Sequence, residues 1–334
     1  MGVLKLEIFN KDDENKFKKD YINHLNCIEA KRNIKFIDAL NLIVDRKAKR
    51  KTESYASQYR TIVKHLTSFC ELNNCDLYTN SITEDFLDDF ILYLESINLR
   101  VNTIKGIVQK VKSMTRKLGT YGYIIDPTFD EVEVEEESTF SIYLSMNDIT
   151  RIYYYKFEHQ DKRKAKERIR DLFVVGCLTA LRYSDYSTLK PENFQDGYII
   201  KRTKKTNITV RVPVHDYIKE IYDKYNGNIP TFNIQYFNRY IKLIMKEIGF
   251  DEKFTYSFTK GGKIQTISKY KWELVSSHTA RRSAATNMYL TGRMKTYEIM
   301  QLTGHTSEKN FFRYIKVTSE QSAKHIAGDS FFNK

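Results

Sequence analysis

From Phe36 onward, apolar residues recur at three- and four-residue spacings. Phe36, Ala39, Leu40 and Ile43 form one stripe, and Tyr59, Ile62, Val63, Leu66 and Phe69 form a second. Such spacing predicts two amphipathic helices. Ser81-Ile82-Thr83-Glu84 matches a capping box, in which a hydroxyl and a carboxylate each satisfy an orphan amide. It is expected to open a third helix with Phe86, Phe90, Ile91, Leu94 and Ile97 inward. A fourth helix carries Ile104, Ile107, Val108, Val111 and Leu118 and is expected to close at Gly119. Its other face bears Lys105, Lys110, Lys112, Arg116 and Lys117. Together these segments predict a helical bundle over residues 31–125. Residues 1–30 are charged and weakly patterned, either one helix around Glu14–Cys27 or a partly loose extension.

Pro127 begins a change. The run Asp130-Glu131-Val132-Glu133-Val134-Glu135-Glu136-Glu137 reads as an exposed acidic linker over residues 126–140. Beyond it the pattern is mixed. Met146-Asn147-Asp148-Ile149 suits a helix start, and Ile169, Leu172, Phe173 and Cys177 line one face of a helix around Lys166–Leu181. Tyr198-Ile199-Ile200 and the alternating Ile208, Val210 and Val212 predict a hairpin turning at Lys204–Asn207. Ile234, Phe237, Ile241, Ile244 and Ile248 predict another helix, stopped by Gly249. A second short hairpin is expected around Gly261-Gly262, and the chain from Ser277 looks helical. This second domain is read as residues 141–318, with a tail at 319–334. The fold class expected is mainly α with small β-hairpins.

Charge sharpens the picture. Lys and Arg number 55 against 42 Asp and Glu, a formal charge of +13 over 334 residues. With 41% hydrophobic residues the chain is globular, and its excess of cations points to a polyanion, nucleic acid first. No run approaches the roughly 18 apolar residues of a membrane span. The start lacks a signal-peptide core, and Leu6 stands where a myristoylation signal needs Ser or Thr. Four cysteines (Cys27, Cys70, Cys75, Cys177) lack metal-ligand spacing and are read as reduced and mostly core. A cytoplasmic protein is expected, and no metal or cofactor motif is present.

The candidate chemistry lies in the second half. Arg182 follows Leu178-Thr179-Ala180-Leu181. His278-Thr279-Ala280-Arg281-Arg282 sets a His and an Arg three apart on one helical face. Gly304-His305 ends a helix, and Tyr314 follows His305 by nine residues. Lys205 sits in the hairpin turn beside Lys204, with Lys201 on the same hairpin. These are the groups that phosphoryl transfer between oxygens requires. Arginines fork the non-bridging oxygens, a tyrosine hydroxyl attacks, a lysine protonates the leaving oxygen and histidines move the tyrosine proton. Each residue alone has a plainer reading. Arg182 could face a helix dipole, Gly304-His305 could be a simple cap, Tyr314 is one of 24 tyrosines, and Phe311 and Phe312 read as core.

In order and spacing, the set resembles the tyrosine recombinase (phage integrase) family. The elements are Arg in Thr-Ala-Leu-Arg-Tyr-Ser-Asp, Lys in Lys-Thr, His-x-x-Arg, Gly-His and Tyr. Ser277–Ser283 and Tyr314-Ile315-Lys316-Val317-Thr318 are similar to integrases of Bacteroides-type mobile elements. The family often has Gly at position 180 and His at position 282, where this chain has Ala and Arg.

The resemblance implies a core-binding helical bundle, a linker and a mixed α/β catalytic domain, forming a C-shaped clamp on double-stranded DNA. It implies that Arg182 and Arg281 clamp the scissile phosphate. Lys205 would protonate the departing 5′ hydroxyl, and His278 would act as acid/base. His305 would support the phosphate or the nucleophile, Tyr314 would attack, and Asp185 would orient the site. The reaction would pass through a 3′-phosphotyrosyl bond and need neither metal nor ATP. Backbone contacts to DNA are expected from Arg46, Lys47, Lys49, Arg50, Lys51 and from Lys105, Lys110, Lys112, Arg116 and Lys117. The partners implied are DNA, a homo-tetramer on it, and accessory DNA-bending or directionality proteins, with a monomer or weak oligomer when free. The tail at 319–334 is expected to dock on a neighbouring protomer or to fold back, and residues 1–30 are too short for an arm-binding domain. The leading function is integration or excision of a mobile element. The alternatives are a DNA invertase, a dimer resolvase, a type IB topoisomerase, and, in a different class, a DNA-binding regulator with a vestigial active site.

Overall fold

The computed structural model describes residues 33–48, 53–158 and 160–316, together with the isolated positions 19, 323 and 327. The Glu14–Cys27 helix, the role of residues 1–30 and the tail at 319–334 therefore lie outside the described residues. The chain divides into two compact units, Met1–Thr139 with Ser257–Thr266, and Phe140–Tyr256 with Ile267–Lys334.

The first unit contains α1 (Phe36–Ala48), α2 (Glu53–Asn73), α3 (Glu84–Ser96) and α4 (Val101–Thr120). Their apolar stripes meet in one core in which Phe36, Leu40, Leu66, Phe90, Leu94 and Val111 are fully excluded from solvent. The cap of α3 is shifted from the expected position. Thr83, not Ser81, is the N-cap, and its side chain accepts from the Phe86 amide at 3.1 Å. Ser81 ends a preceding 3₁₀ turn. On α3, Leu87 is buried and Ile97 is exposed, because the helix ends at Ser96 before Ile97 can turn inward. Gly119 likewise lies inside the last turn of α4, and the left-handed residue is Gly122, at φ +85°.

The acidic segment keeps most of its carboxylates exposed, as expected, but it is docked on the helical unit. Phe129 and Val132 are buried in the helical core. Lys112 donates to the carbonyls of Asp130 and Val132 at 2.9 and 2.7 Å, and Arg116 pairs with the Asp130 carboxylate. Asn102 exchanges bonds with the Glu137 backbone. The acidic run and the basic face of α4, separate features in the sequence, complement each other along the helix.

The second unit opens with α5 (Met146–Tyr154), capped by a reciprocal Ser145–Asp148 box. Helix α6 (Gln160–Thr179) runs through its centre, with residues 171–180 all buried. A short α7 (Tyr183–Tyr186) leads to an antiparallel sheet of β1 (Phe194–Gln195), β2 (Tyr198–Arg202) and β3 (Thr209–Pro213), in spatial order 1-2-3. Ile199 pairs with Val212 and Lys201 with Val210, so Val210 and Val212 face the core as expected. Ile208 falls outside the strand and is exposed. Next come α8 (Asp216–Lys224) and α9 (Ile234–Ile248), the latter stopped by Gly249 at φ +86°. Ile234, in the first turn of α9, is exposed rather than inward.

The second hairpin is longer than expected, with eight residues in each of β4 (Lys253–Lys260) and β5 (Lys263–Tyr270). After a short α10 (Lys271–Leu274) come α11 (Ser277–Leu290), α12 (Thr296–Thr303) and α13 (Glu308–Phe312). Phe311 is buried against Ala285 and Ile299, but Phe312 is exposed, since adjacent helical positions cannot both face one core. No helix among the described residues is long and apolar enough to cross a membrane.

Candidate active site

Four pieces of the second unit deliver the polar groups singled out above. The first is the break after α6. Ala180 stands in the left-handed region at φ +55°, a conformation that costs a non-glycine residue about 1 kcal/mol and turns the chain out of the helix. The substitution of Ala for the family's Gly therefore carries a backbone cost. The break leaves the Ala180 carbonyl free of the helix ladder, and Arg281 Nη1 donates to it at 2.7 Å. Arg182 follows at the N-cap of α7 with one guanidinium nitrogen, Nη1, buried and without a partner.

The second piece is the turn between β2 and β3. Asp185, fully buried in α7, accepts the Lys204 amide on Oδ1 at 2.9 Å. Thr203 and Thr206 bond each other at 2.8 Å and close the turn. Lys205 is thereby held at its exposed tip, with no ion-pair partner among the described residues. The three hairpin lysines now separate. Lys201 Nζ donates to the Thr188 carbonyl at 2.8 Å and Lys204 is pinned through its backbone, so Lys205 alone is engaged by neither side chain nor main chain.

The third piece is the start of α11. Asn238 on α9 accepts the Ser277 amide at 2.8 Å and fixes the helix N-terminus that carries His278 and Arg281. Arg281 is only 1% exposed. Burial, with Arg182 next among the causes, lowers its pKa to about 10. His278 is lowered as well, by burial and then by Arg282, Arg281, Lys205 and Arg182. Three arginines and Lys205 thus all act on one histidine to disfavour its protonated form.

The fourth piece is the segment from α12 to Tyr314. Gly304, at φ +65°, ends α12 and brings His305 back onto Arg281. Arg281 Nη2 lies 3.0 Å from His305 Nε2, and His305 Nδ1 lies 2.7 Å from the Thr303 hydroxyl. An arginine can only donate, so Nε2 must accept. The Thr303 proton goes to the Met300 carbonyl, so Nδ1 carries the imidazole hydrogen. His305 is thus a neutral ring, consistent with a pKa pushed down to about 4 by burial, Arg281 and Arg182. The Tyr314 ring sits 5.0 Å from His305 and 5.4 Å from the Arg281 guanidinium carbon. Thr286 holds the tyrosine backbone by donating to its carbonyl at 3.3 Å.

Arg182, Asp185, Lys205, His278, Arg281, His305 and Tyr314 therefore converge. Sequence reasoning missed Thr303, Thr286 and Asn238, which touch the site only through other residues, and it gave no role to Arg282. Arg282 donates to the Ile142 carbonyl at 2.9 Å and keeps its Nε buried and unpartnered. Nothing in the sequence marks Thr303, Thr286 or Asn238.

The basic residues assigned to DNA contact fare unevenly. Lys112 is buried and bonded to two carbonyls, Arg116 is paired with Asp130, and Lys105 lies 3.9 Å from Glu136, because the 130–136 segment covers that face of α4. Lys110 and Lys117 have no acidic partner among the described residues. Arg46 and Lys47 fall in the last turn of α1, and Lys49, Arg50 and Lys51 lie outside the described residues.

Comparison with known proteins bears on both units. The phage integrase SAM-like domain matches residues 35–134. The fold is similar to that of lambda integrase in a dimer bound to a core site, with a TM-score of 0.66 and 14% identity over 88% of this chain and 81% of that one. Residues 35–134 thus carry an integrase-type helical domain, and the fold of the chain is that of the integrases. A lambda integrase tetramer bound to a Holliday junction gives a TM-score of 0.64 at 14% identity, covering 91% of this chain and 89% of that one. The Tn1549 transposon integrase in complex with a circular intermediate DNA gives 0.61 at 11%, covering 86% and 98%. No curated protein matches the chain in sequence. The recombinase fold thus accounts for the helical N-terminal unit and the mixed second unit together.

Proposed function

We propose that the chain is a site-specific DNA recombinase that cleaves and rejoins DNA through a 3′-phosphotyrosyl intermediate. The observation that carries this reading is the uncompensated charge around Tyr314. Of the five buried side-chain polar atoms without a partner among the described residues, four belong to Arg182, Asp185, Arg281 and Arg282. Buried donors are ordinarily satisfied, and clustered exceptions mark a place for a missing group. Three of the four are guanidinium nitrogens, which can only donate, so the group they lack is an acceptor, and their charge favours an anion. A DNA phosphate supplies the oxygens that unpartnered guanidinium nitrogens need.

The roles follow from this arrangement. Arg182 and Arg281 hold the non-bridging oxygens and stabilise the charge that grows on them. The Tyr314 hydroxyl oxygen attacks phosphorus and the bond to the 5′ oxygen breaks. His278, whose pKa is lowered by burial and then by the nearby cations, takes the phenol proton. Lys205 delivers a proton to the leaving 5′ oxygen. His305 is an acceptor for Arg281 and positions it rather than donating a proton. Rejoining reverses these steps, and the phosphotyrosyl bond conserves the energy required.

The substrate is double-stranded DNA, and the complexes of similar fold with core-site DNA and with a Holliday junction support a tetramer on it. The likeness to a transposon integrase favours integration or excision of a mobile element over inversion or resolution. The test is to trap covalent adducts with denaturant on a sheared DNA library, in chelator, and to sequence the attached DNA. Adducts sharing one core sequence and absent from Tyr314→Phe are expected. Adducts without a common sequence would indicate a topoisomerase, and salt-sensitive binding without adducts would indicate a regulator.

A further inference from the structure

The end of α2 carries a feature unrelated to the active site. Asn74 adopts the left-handed conformation at φ +47°, and the Cys75 amide donates to the Cys70 carbonyl at 3.1 Å. This is the six-to-one bond of a Schellman ending, with Asn74 as the left-handed residue just past the helix. That motif brings the side chain of its first residue against the side chain of its last, usually as an apolar contact. Here both positions are cysteine. Cys70 lies within hydrogen-bonding reach of the Cys75 thiol, Cys70 is half-buried, and Cys75 is exposed. Both are free thiols.

The segment after Cys75 is anchored, so the second thiol does not swing away. Lys35 pairs with Asp76 at 2.9 Å, the Phe36 amide donates to the Leu77 carbonyl at 2.7 Å, and the Thr79 amide donates to the Ile34 carbonyl at 3.0 Å. A disulfide requires two cysteines whose side chains already face each other at short range. The helix ending and these three anchors hold the two thiols within hydrogen-bonding reach of each other.

We propose that Cys70 and Cys75 are a thiol-oxidation site that closes to an intramolecular disulfide with a low-molecular-weight disulfide, such as oxidised glutathione, as oxidant. The exposed Cys75 thiolate attacks one glutathione sulfur, forming a mixed disulfide and expelling one glutathione thiolate. The Cys70 thiolate then attacks the Cys75 sulfur and expels the second. Two protein thiols are oxidised, one glutathione disulfide is reduced to two glutathiones, and the two thiol protons pass to the released thiolates. Burial, with the Cys75 contact next, pushes the Cys70 thiol up to about 12, which makes Cys75 the first attacker and Cys70 the resolving thiol. The product staples the end of α2 to the strand of chain that docks on α1.

The test incubates the full chain with oxidised glutathione and maps thiols by alkylation and peptide mass. The expected product is a Cys70–Cys75 peptide pair lighter by two hydrogens, reversed by dithiothreitol and formed equally in Cys27→Ser. Cys70→Ser should instead hold a stable glutathione adduct on Cys75, since the resolving thiol is gone. A lasting glutathione adduct on Cys75 of the unaltered chain, a Cys27–Cys75 link, or no reaction at either thiol would overturn the proposal. This inference does not depend on the recombinase reading.

Discussion

The second unit holds two buried clusters of charge, and they are built in opposite ways. In one, Asp171 is fully buried. It receives Arg170 on one oxygen at 2.7 Å, and Lys224 and the Tyr225 hydroxyl on the other at 2.8 Å each. None of its atoms is left without a partner. In the other, Arg182, Asp185, Arg281 and Arg282 each keep one buried polar atom without a partner. Both clusters sit in the same fold under the same solvent. The first is a closed network whose charges answer one another and hold α6 to α8. The second is an open network whose surplus is positive and whose surroundings include a tyrosine ring. The first network closes on itself and serves structure; the second stays open, which is the basis for proposing it as an anion site.

The largest effect is expected at the open cluster. Arg281→Ala should reduce strand cleavage by about a thousandfold, measured as phosphotyrosyl adduct formed per unit time, with the fold retained by circular dichroism. Arg281→Lys should recover little, because an ammonium cannot reach the Ala180 carbonyl, His305 and an anion together. At the closed cluster the sense reverses. Asp171→Asn should lower unfolding free energy by about 3 kcal/mol in urea melts, since it strands the buried Arg170, while adduct formation per folded molecule stays near that of the unaltered chain.

A smaller effect is expected at Thr303, one bond removed from the open cluster. Thr303→Val releases His305 Nδ1 and with it the tautomer that lets Nε2 accept from Arg281. Loss of about 1 kcal/mol of ordering should slow cleavage roughly fivefold to tenfold, and Thr303→Ser should restore it. The pH dependence follows from the same ring. His305 is lowered in the folded chain from 6.5 to about 4, so the unfolded chain binds the proton first as pH falls. The stability His305 contributes is therefore complete above pH 6.5 and is lost between 6.5 and 4. Urea midpoints at about pH 7.5 and pH 5 should differ more in the unaltered chain than in His305→Gln. The smallest effect is expected at Arg116→Ala in the first unit, below about 1 kcal/mol, because its pair with Asp130 is exposed to solvent.

The helices and the hairpins were legible because each is written in local periodicity. The stripes at Phe36–Ile43, Tyr59–Phe69 and Ile104–Leu118 appear as helices with those residues inward. Boundaries were less legible. Ser81 and Thr83 both offer a hydroxyl, and the preceding 3₁₀ turn decides between them. The acidic run at 130–137 reads as solvated when taken alone. Only its pairing with Lys112 and Arg116, from a helix many residues earlier, reveals a docked strap. The same holds at the site. Arg182, His278, Arg281, His305 and Tyr314 were legible through their order and spacing. Thr303, Thr286 and Asn238 were not, because a residue that acts by holding another is defined by tertiary contact and leaves no pattern along the chain.

The account rests on the open cluster being a phosphate site with Tyr314 as its nucleophile, and one measurement addresses both halves. Covalent adducts formed on DNA in chelator would be digested by nuclease and protease, and the residue bearing the nucleotide identified by mass spectrometry. The account predicts a nucleotide joined to Tyr314 through its 3′ phosphate, in the unaltered chain and not in Arg182→Ala. A nucleotide on another residue, or adducts at full yield in Arg182→Ala, would contradict it.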